Sequence, residues 1–162
     1  MSSQNFNRAI FPARFSKRLH SGLFILRVAL GLFLLLWAIE KFVAPTTTAA
    51  IWESFYKIPI GGAVITLLAI LQTILAIALL IGFWRPVSYG ISLGINAVTV
   101  ISTWQQLINP WGAEVNHLFL AGIPVLAGFI ALYLLYPWDE WSVDGWIAKR
   151  RMSRAQQPQQ PQ

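Results

Sequence analysis

The chain has 162 residues, 56% of them hydrophobic and only 11% charged, against about 25% charged in a soluble domain, which excludes an ordinary soluble globular protein and places it in the membrane class. It has no cysteine, which excludes a disulfide, a thiolate metal site and a thiol relay. The formal net charge is +6, but the basic residues gather at the two chain ends, a pattern of membrane orientation and not a nucleic-acid footprint.

In chain order, residues 1–21 form a basic amphipathic segment in which Arg8, Arg14, Lys17 and Arg18 interleave with Phe6, Ile10, Phe11 and Phe15, suited to a membrane surface. A signal peptide does not fit, because the next apolar run is too long and no small-residue cleavage site follows. The first span is expected at 22–43, with Arg27 low in it and snorkelling to the near interface, and Ala44-Pro45-Thr46 ending it. The connector carrying Trp52, Glu53, Phe55, Tyr56 and Lys57 reads as a short interfacial helix. A second span at 61–81 and a third at 86–107 flank the turn Gly82-Phe83-Trp84-Arg85-Pro86. Each run of about 20 residues reaches about 30 Å, the thickness of a bilayer's hydrocarbon core. After a loop with Asn109-Pro110-Trp111-Gly112, a fourth span at 117–136 contains Pro124 as a kink site and stops at Pro137. Trp138 to Trp146 makes an amphipathic return, and 149–162 is a basic, then Gln/Pro-rich, disordered tail. The expected fold is therefore all-α, an integral membrane four-helix transmembrane bundle over residues 22–148 with short interfacial helices. About ten Lys and Arg lie on the side of both termini and the Arg85 turn, against Lys41 and Lys57 on the other, so both termini are expected in the cytoplasm.

On the third span, Ser88, Ser92, Asn96, Thr99, Thr103 and Gln106 recur at steps of three and four, one face of a helix. Such a stripe is expected to face other helices or a polar cavity. Gln72 and Asn96 lie about 15–17 Å deep, near the midplane; they either glue helices together, at about 0.6 kcal/mol each, or line a pocket. Glu40 and Lys41 end the first span, with Trp37 on the same face as Glu40. They read either as an interfacial charge pair or as an acid and base at a pocket mouth. His117 opens the fourth span, whose small residues Ala121, Pro124, Gly128 and Ala131 invite close helix approach. The candidate pocket lining is thus Trp37, Glu40, Lys41, Gln72, Asn96, Thr99, Thr103, Gln106 and His117. With only His20 as a second histidine, no metal site is expected. Asp139, Glu140 and Asp144 are expected near Arg85 and the basic tail, neutralising charge.

Several stretches resemble the DoxX/DoxD-like membrane proteins. Leu26-Arg27-Val28-Ala29-Leu30-Gly31-Leu32 resembles the Arg-x-x-x-Gly opening of that family's first helix, and Glu40-Lys41-Phe42 its end. Leu79-Leu80-Ile81-Gly82-Phe83-Trp84-Arg85-Pro86 resembles the family's basic turn, and Ser142-Val143-Asp144-Gly145-Trp146 its closing motif. The resemblance covers roughly Leu23 to Arg150 and implies a four-helix membrane bundle. Many relatives carry a glutamate in the second helix where this chain has Gln72. Some relatives are subunits of membrane oxidoreductases.

The leading expectation is a multi-pass protein of the bacterial inner membrane, a subunit or accessory of a redox or quinone-linked complex. Trp37 would stack on a quinone while Asn96, Gln106 or His117 hydrogen-bonds to it, the chemistry belonging to a partner's cofactor. Beyond the lipid bilayer the expected partners are other subunits of such a complex; no nucleic acid is expected. Two rival readings are a non-enzymatic membrane scaffold and a small transporter with an extracytoplasmic half-cavity. No catalytic residue is assigned.

Overall fold

The structure, a computed structural model, describes residues 13–109, 111 and 117–155. The first part of the basic N-terminal segment, most of the loop around Pro110 and the Gln/Pro tail lie outside these residues. Every regular element among them is helical.

Helix α1 spans Ala13–Val43, 31 residues or about 46 Å, so it starts well before the expected residue 22. Nothing between Ala13 and Gly22 breaks it, and the first turns are tied by a 2.8 Å bond between Ser16 Oγ and His20 Nε2. It stops because Pro45 disfavours helical backbone at the residue before it; Ala44 sits at φ −132°, ψ 63°. The same proline opens α2, Pro45–Ile51, where its missing N–H costs nothing. A single π-helical turn, Trp52–Tyr56, follows and ends at the left-handed Lys57. This is the expected connector helix, wound more tightly at first and then more loosely.

Helix α3, Gly62–Ile81, is 20 residues long. Its end is a Schellman motif: Gly82 N–H donates to Leu79 O at 3.1 Å and Phe83 N–H to Ala78 O at 2.9 Å, with Gly82 at φ +68°. Helix α4 runs over Arg85–Ser102 and a short α5 over Trp104–Ile108, so the expected continuous span 86–107 is broken at Thr103. The Thr103 hydroxyl bonds back to Thr99 O at 3.0 Å and Val100 O at 3.2 Å, the kind of back-bonding that bends helices.

The expected fourth span divides as well. A 3-10 segment, His117–Ala121, leads into α6, Gly122–Leu134. Pro124 falls in the first turn of α6, where no intrahelical bond is lost, so the change of winding takes the place of a mid-helix kink. A 3-10 turn at Tyr136–Trp138 contains Pro137, and α7 runs over Val143–Ala155.

Helix α1 packs on α3, α4 packs on α6, and contacts of α3 with α4 and of α1 with α6 close a ring. A Cβ on Gly31 would lie 2.6 Å from Leu80 Cγ, so that glycine sets how closely α1 meets α3. The buried core includes Leu23, Leu30, Leu34, Leu79, Tyr89, Phe129 and Leu132. Yet Leu36, Ile74, Ile101 and Leu134 are each more than 60% exposed, an outer surface suited to lipid and not to water. Two helices, Phe15–Val43 and Gly62–Ile81, are long and apolar enough to cross a membrane. Helix α4 has 18 residues but is diluted by its polar stripe, and the apolar Phe119–Leu134 segment is shorter.

Candidate functional site

The α3–α4 pair is joined by a tight turn and meets only lightly along its length, leaving a groove of about 890 Å³. That volume lies within the range of small-molecule sites, about 300–1,000 Å³. Its walls are apolar: Leu68, Leu71, Leu75 and Ala78 from α3, and Val87, Ile91, Gly94, Ile95 and Val98 from α4. Leu71, Ile74, Ile91 and Val98 are half exposed or more, so the groove opens sideways along the outer surface. Lys41, Trp52, Tyr56 and Thr99 supply polar groups toward one end, Gln72 stands midway along α3, and Phe83, Trp84 and Ser88 line the other end. Tyr56 Oη and Thr99 Oγ1 lie 3.4 Å apart, linking the connector to α4 across the groove mouth.

The nine expected pocket residues divide. Lys41, Gln72 and Thr99 line the groove. The Gln72 amide donates to Leu34 O at 3.0 Å, so it also bridges α3 to α1. Lys41 Nζ donates to Trp37 O, and Trp37 stacks edge-on with Phe33 at 6.3 Å without reaching the groove. Glu40 is partly buried beside Lys41 and lines neither of the two clefts described here. The stripe itself divides: Ser88, Ser92, Asn96 and Thr103 are buried, whereas Thr99 is exposed on the groove side. Asn96 Oδ1 and Gln106 Oε1 are buried without a hydrogen-bond partner among the described residues. The His117 side chain lies outside the described positions.

At the opposite end stands a polar cluster in which the acidic residues expected near Arg85 are joined by Arg27 and Tyr89. Arg27 is 2% exposed and Asp139 is fully buried; Arg27 Nη1 donates to Asp139 Oδ2 at 2.7 Å, and Nη2 to Trp141 O at 2.6 Å. Arg27 therefore does not snorkel; the chain folds a counter-ion over it. Tyr89 Oη, also fully buried, donates to the same Asp139 Oδ2 at 2.6 Å. Arg85 Nη1 donates to the carbonyls of Tyr136 and Asp139. Asp144 accepts from the Trp84 and Arg85 backbone N–H groups at 3.1 and 2.8 Å. A carboxylate at the first turn of α4 is favoured by the helix dipole. The expected pairing of Asp144 with Arg85 is present at 3.6 Å, while Asp139 answers Arg27. The stretches around Arg27, Gly82 and Ser142, all part of the resemblance noted above, meet here.

Removing the phenolic hydroxyl tests this cluster. Tyr89→Phe is expected to cost about 1.5–3 kcal/mol, the range for a hydrogen bond to a charged group, read as a lower melting temperature in detergent.

These features define an all-α chain with two membrane-length helices, a lateral apolar groove and a buried ion-pair cluster at one end. No protein-family profile, curated protein or solved structure matches it.

Proposed function

We propose that this is a multi-pass protein of DoxX type in the bacterial inner membrane, crossing it with four helices, and that it serves a redox or quinone-linked membrane complex by holding a quinone in the α3–α4 groove. The observation that carries the reading is the groove: about 890 Å³, apolar along most of its length, open on the outer surface, and polar toward the Lys41–Tyr56 end. An isoprenoid tail would lie along Leu71, Ile91 and Ile95, entering from the bilayer. The headgroup carbonyls would meet donors at Lys41, Tyr56 or Thr99, which take the hydrogen-bonding role expected of Asn96 or Gln106. The electron-transfer chemistry would belong to a partner subunit.

Orientation follows from charge. Lys17, Arg18, Arg27, Arg85 and the basic residues of α7 stand at one end, and Lys41 and Lys57 at the other. The positive-inside rule puts the first end, and both termini, in the cytoplasm.

The test is to purify the chain from native membranes and quantify extracted quinone for wild type and Gly94→Trp. Gly94 lines the groove and a Cβ there meets nothing within 4 Å, so an indole at this position would take up groove space. Bound quinone is expected to fall about tenfold or more, a loss of at least about 1.4 kcal/mol of binding, with the melting temperature in lipid-free detergent unchanged. Equal quinone in both proteins sinks the groove assignment. A second reading, a scaffold, is favoured by the Gln72 bond to Leu34 O; quinone-free protein that retains a fixed partner would select it.

A further inference from the structure

The acidic groups at the Arg85 end are all engaged. Asp139 holds Arg27, Asp144 caps α4 and faces Arg85, and Glu140 Oε2 meets Lys149 Nζ at 2.9 Å. Lys17, Arg18, Arg151 and Arg154 have no acidic partner among the described residues, and Arg150 lies over the Trp146 ring at 3.6 Å. At the same end lies a cleft of about 530 Å³ formed by α1, the end of α3, residues 140–142 and α7. Its apolar floor is Phe24, Ile81 and Val143, its rim carries Trp141 and Trp146, and Lys149 and buried Arg27 complete it. Tryptophan beside basic residues at the end of an apolar helix is the composition of a membrane–water boundary.

We propose that this cleft is a binding site for an anionic glycerophospholipid of the adjoining leaflet. One acyl chain lies against Phe24, Ile81 and Val143, and the phosphate is met by Lys149 and Arg150. Charge complementarity selects this occupant: Glu140, the one acid among the described residues lining the cleft, already faces His20 at 3.8 Å and Lys149 in a pair about half exposed on both sides. Such a pair is weak, so Lys149 can exchange the carboxylate for a phosphate at little cost. The basic residues further along α7 add the attraction that juxtamembrane lysines and arginines have for anionic headgroups. The site is separate from the α3–α4 groove and does not depend on what the groove holds; it rests on the membrane reading alone.

The experiment is native mass spectrometry of the full chain in detergent, titrated in parallel with phosphatidylglycerol and phosphatidylcholine. Wild type is expected to retain phosphatidylglycerol at least about fivefold better, the effect of roughly one basic residue near an anionic surface. Lys149→Gln/Arg150→Gln/Arg151→Gln should bring the two lipids to parity. Lys57→Gln, at the other end, should leave the preference intact. The substituted side chains are exposed, and an unchanged melting temperature confirms that the variants fold. Equal retention by wild type, or a preference surviving in the triple variant, overturns the proposal. Displacement of the lipid by soluble glycerol phosphate overturns it in favour of a free phosphate compound. Retention of neither lipid sinks it together with the membrane reading.

Discussion

Arg27→Met is expected to cost about 3–5 kcal/mol, the penalty for leaving one member of a buried ion pair uncompensated. The Asp139 carboxylate would keep the Tyr89 hydroxyl but lose the guanidinium 2.7 Å away, in a place with no access to solvent. The guanidinium also holds Trp141 O at 2.6 Å, so the return segment loses a second tether. Asp139→Asn alone should be comparably damaging, because it strands the cation. The double variant Arg27→Met/Asp139→Asn should recover much of the loss, since replacing both partners of a buried pair is far gentler than removing one. Melting temperatures of the three proteins in one detergent provide the cycle. Additive losses would mean that the two side chains are not coupled, and the description of this end of the molecule would be wrong.

Gly82→Ala is expected to lower stability by about 3 kcal/mol or more from two sources that act together. The residue sits at φ +68°, and a left-handed backbone costs a non-glycine residue about 1–2 kcal/mol. The added Cβ would also fall 2.5 Å from Arg27 Nη1 and 2.5 Å from Ser142 Cβ. Neither neighbour yields easily: the guanidinium is fixed by Asp139 and Trp141 O, and the Ser142 hydroxyl donates to Asp139 O at 2.7 Å. Gly94→Ala, where the new carbon meets nothing, serves as the control and should stay within about 0.5 kcal/mol of wild type. If the two variants melt alike, the close docking of the turn on the return segment does not exist in solution.

The parts of this molecule legible in the sequence are those written in local chemistry. Pro45 and Pro137 mark helix ends, Gly82 to Pro86 a turn and the 61–81 run a long apolar helix; the structure ends a helix shortly before each proline and has both the turn and the helix. The buried face of α4 was legible at Ser88, Ser92 and Asn96 because steps of four keep one face. Thr99 lies on the same side of the helix yet is exposed, because it stands where the groove opens beside α4, and residue types alone do not say where a neighbour is missing. The bend at Thr103 depends on which carbonyl its hydroxyl selects, a choice that periodicity does not encode. Arg27 was misplaced for a different reason. Its partner lies 112 residues away, and a lone arginine near a helix end reads equally as reaching for water or as waiting for a carboxylate. The usable signal was Asp139 itself, set just after Pro137 and Trp138, where the chain turns back toward α1. The groove was illegible because it is an absence of contact between two neighbouring helices, and hydropathy has no term for that.

The long separation between Arg27 and Asp139 has a consequence for biosynthesis. At about 5–20 residues per second, the ribosome delivers the carboxylate roughly 6–22 s after the arginine. In the proposed membrane setting α1 would wait through that interval with its cation reaching for headgroups, and would take its final depth only when the segment carrying Asp139 arrives. A nascent chain halted before Asp139 would hold all the long apolar helices yet leave the Arg27 guanidinium without its counter-ion.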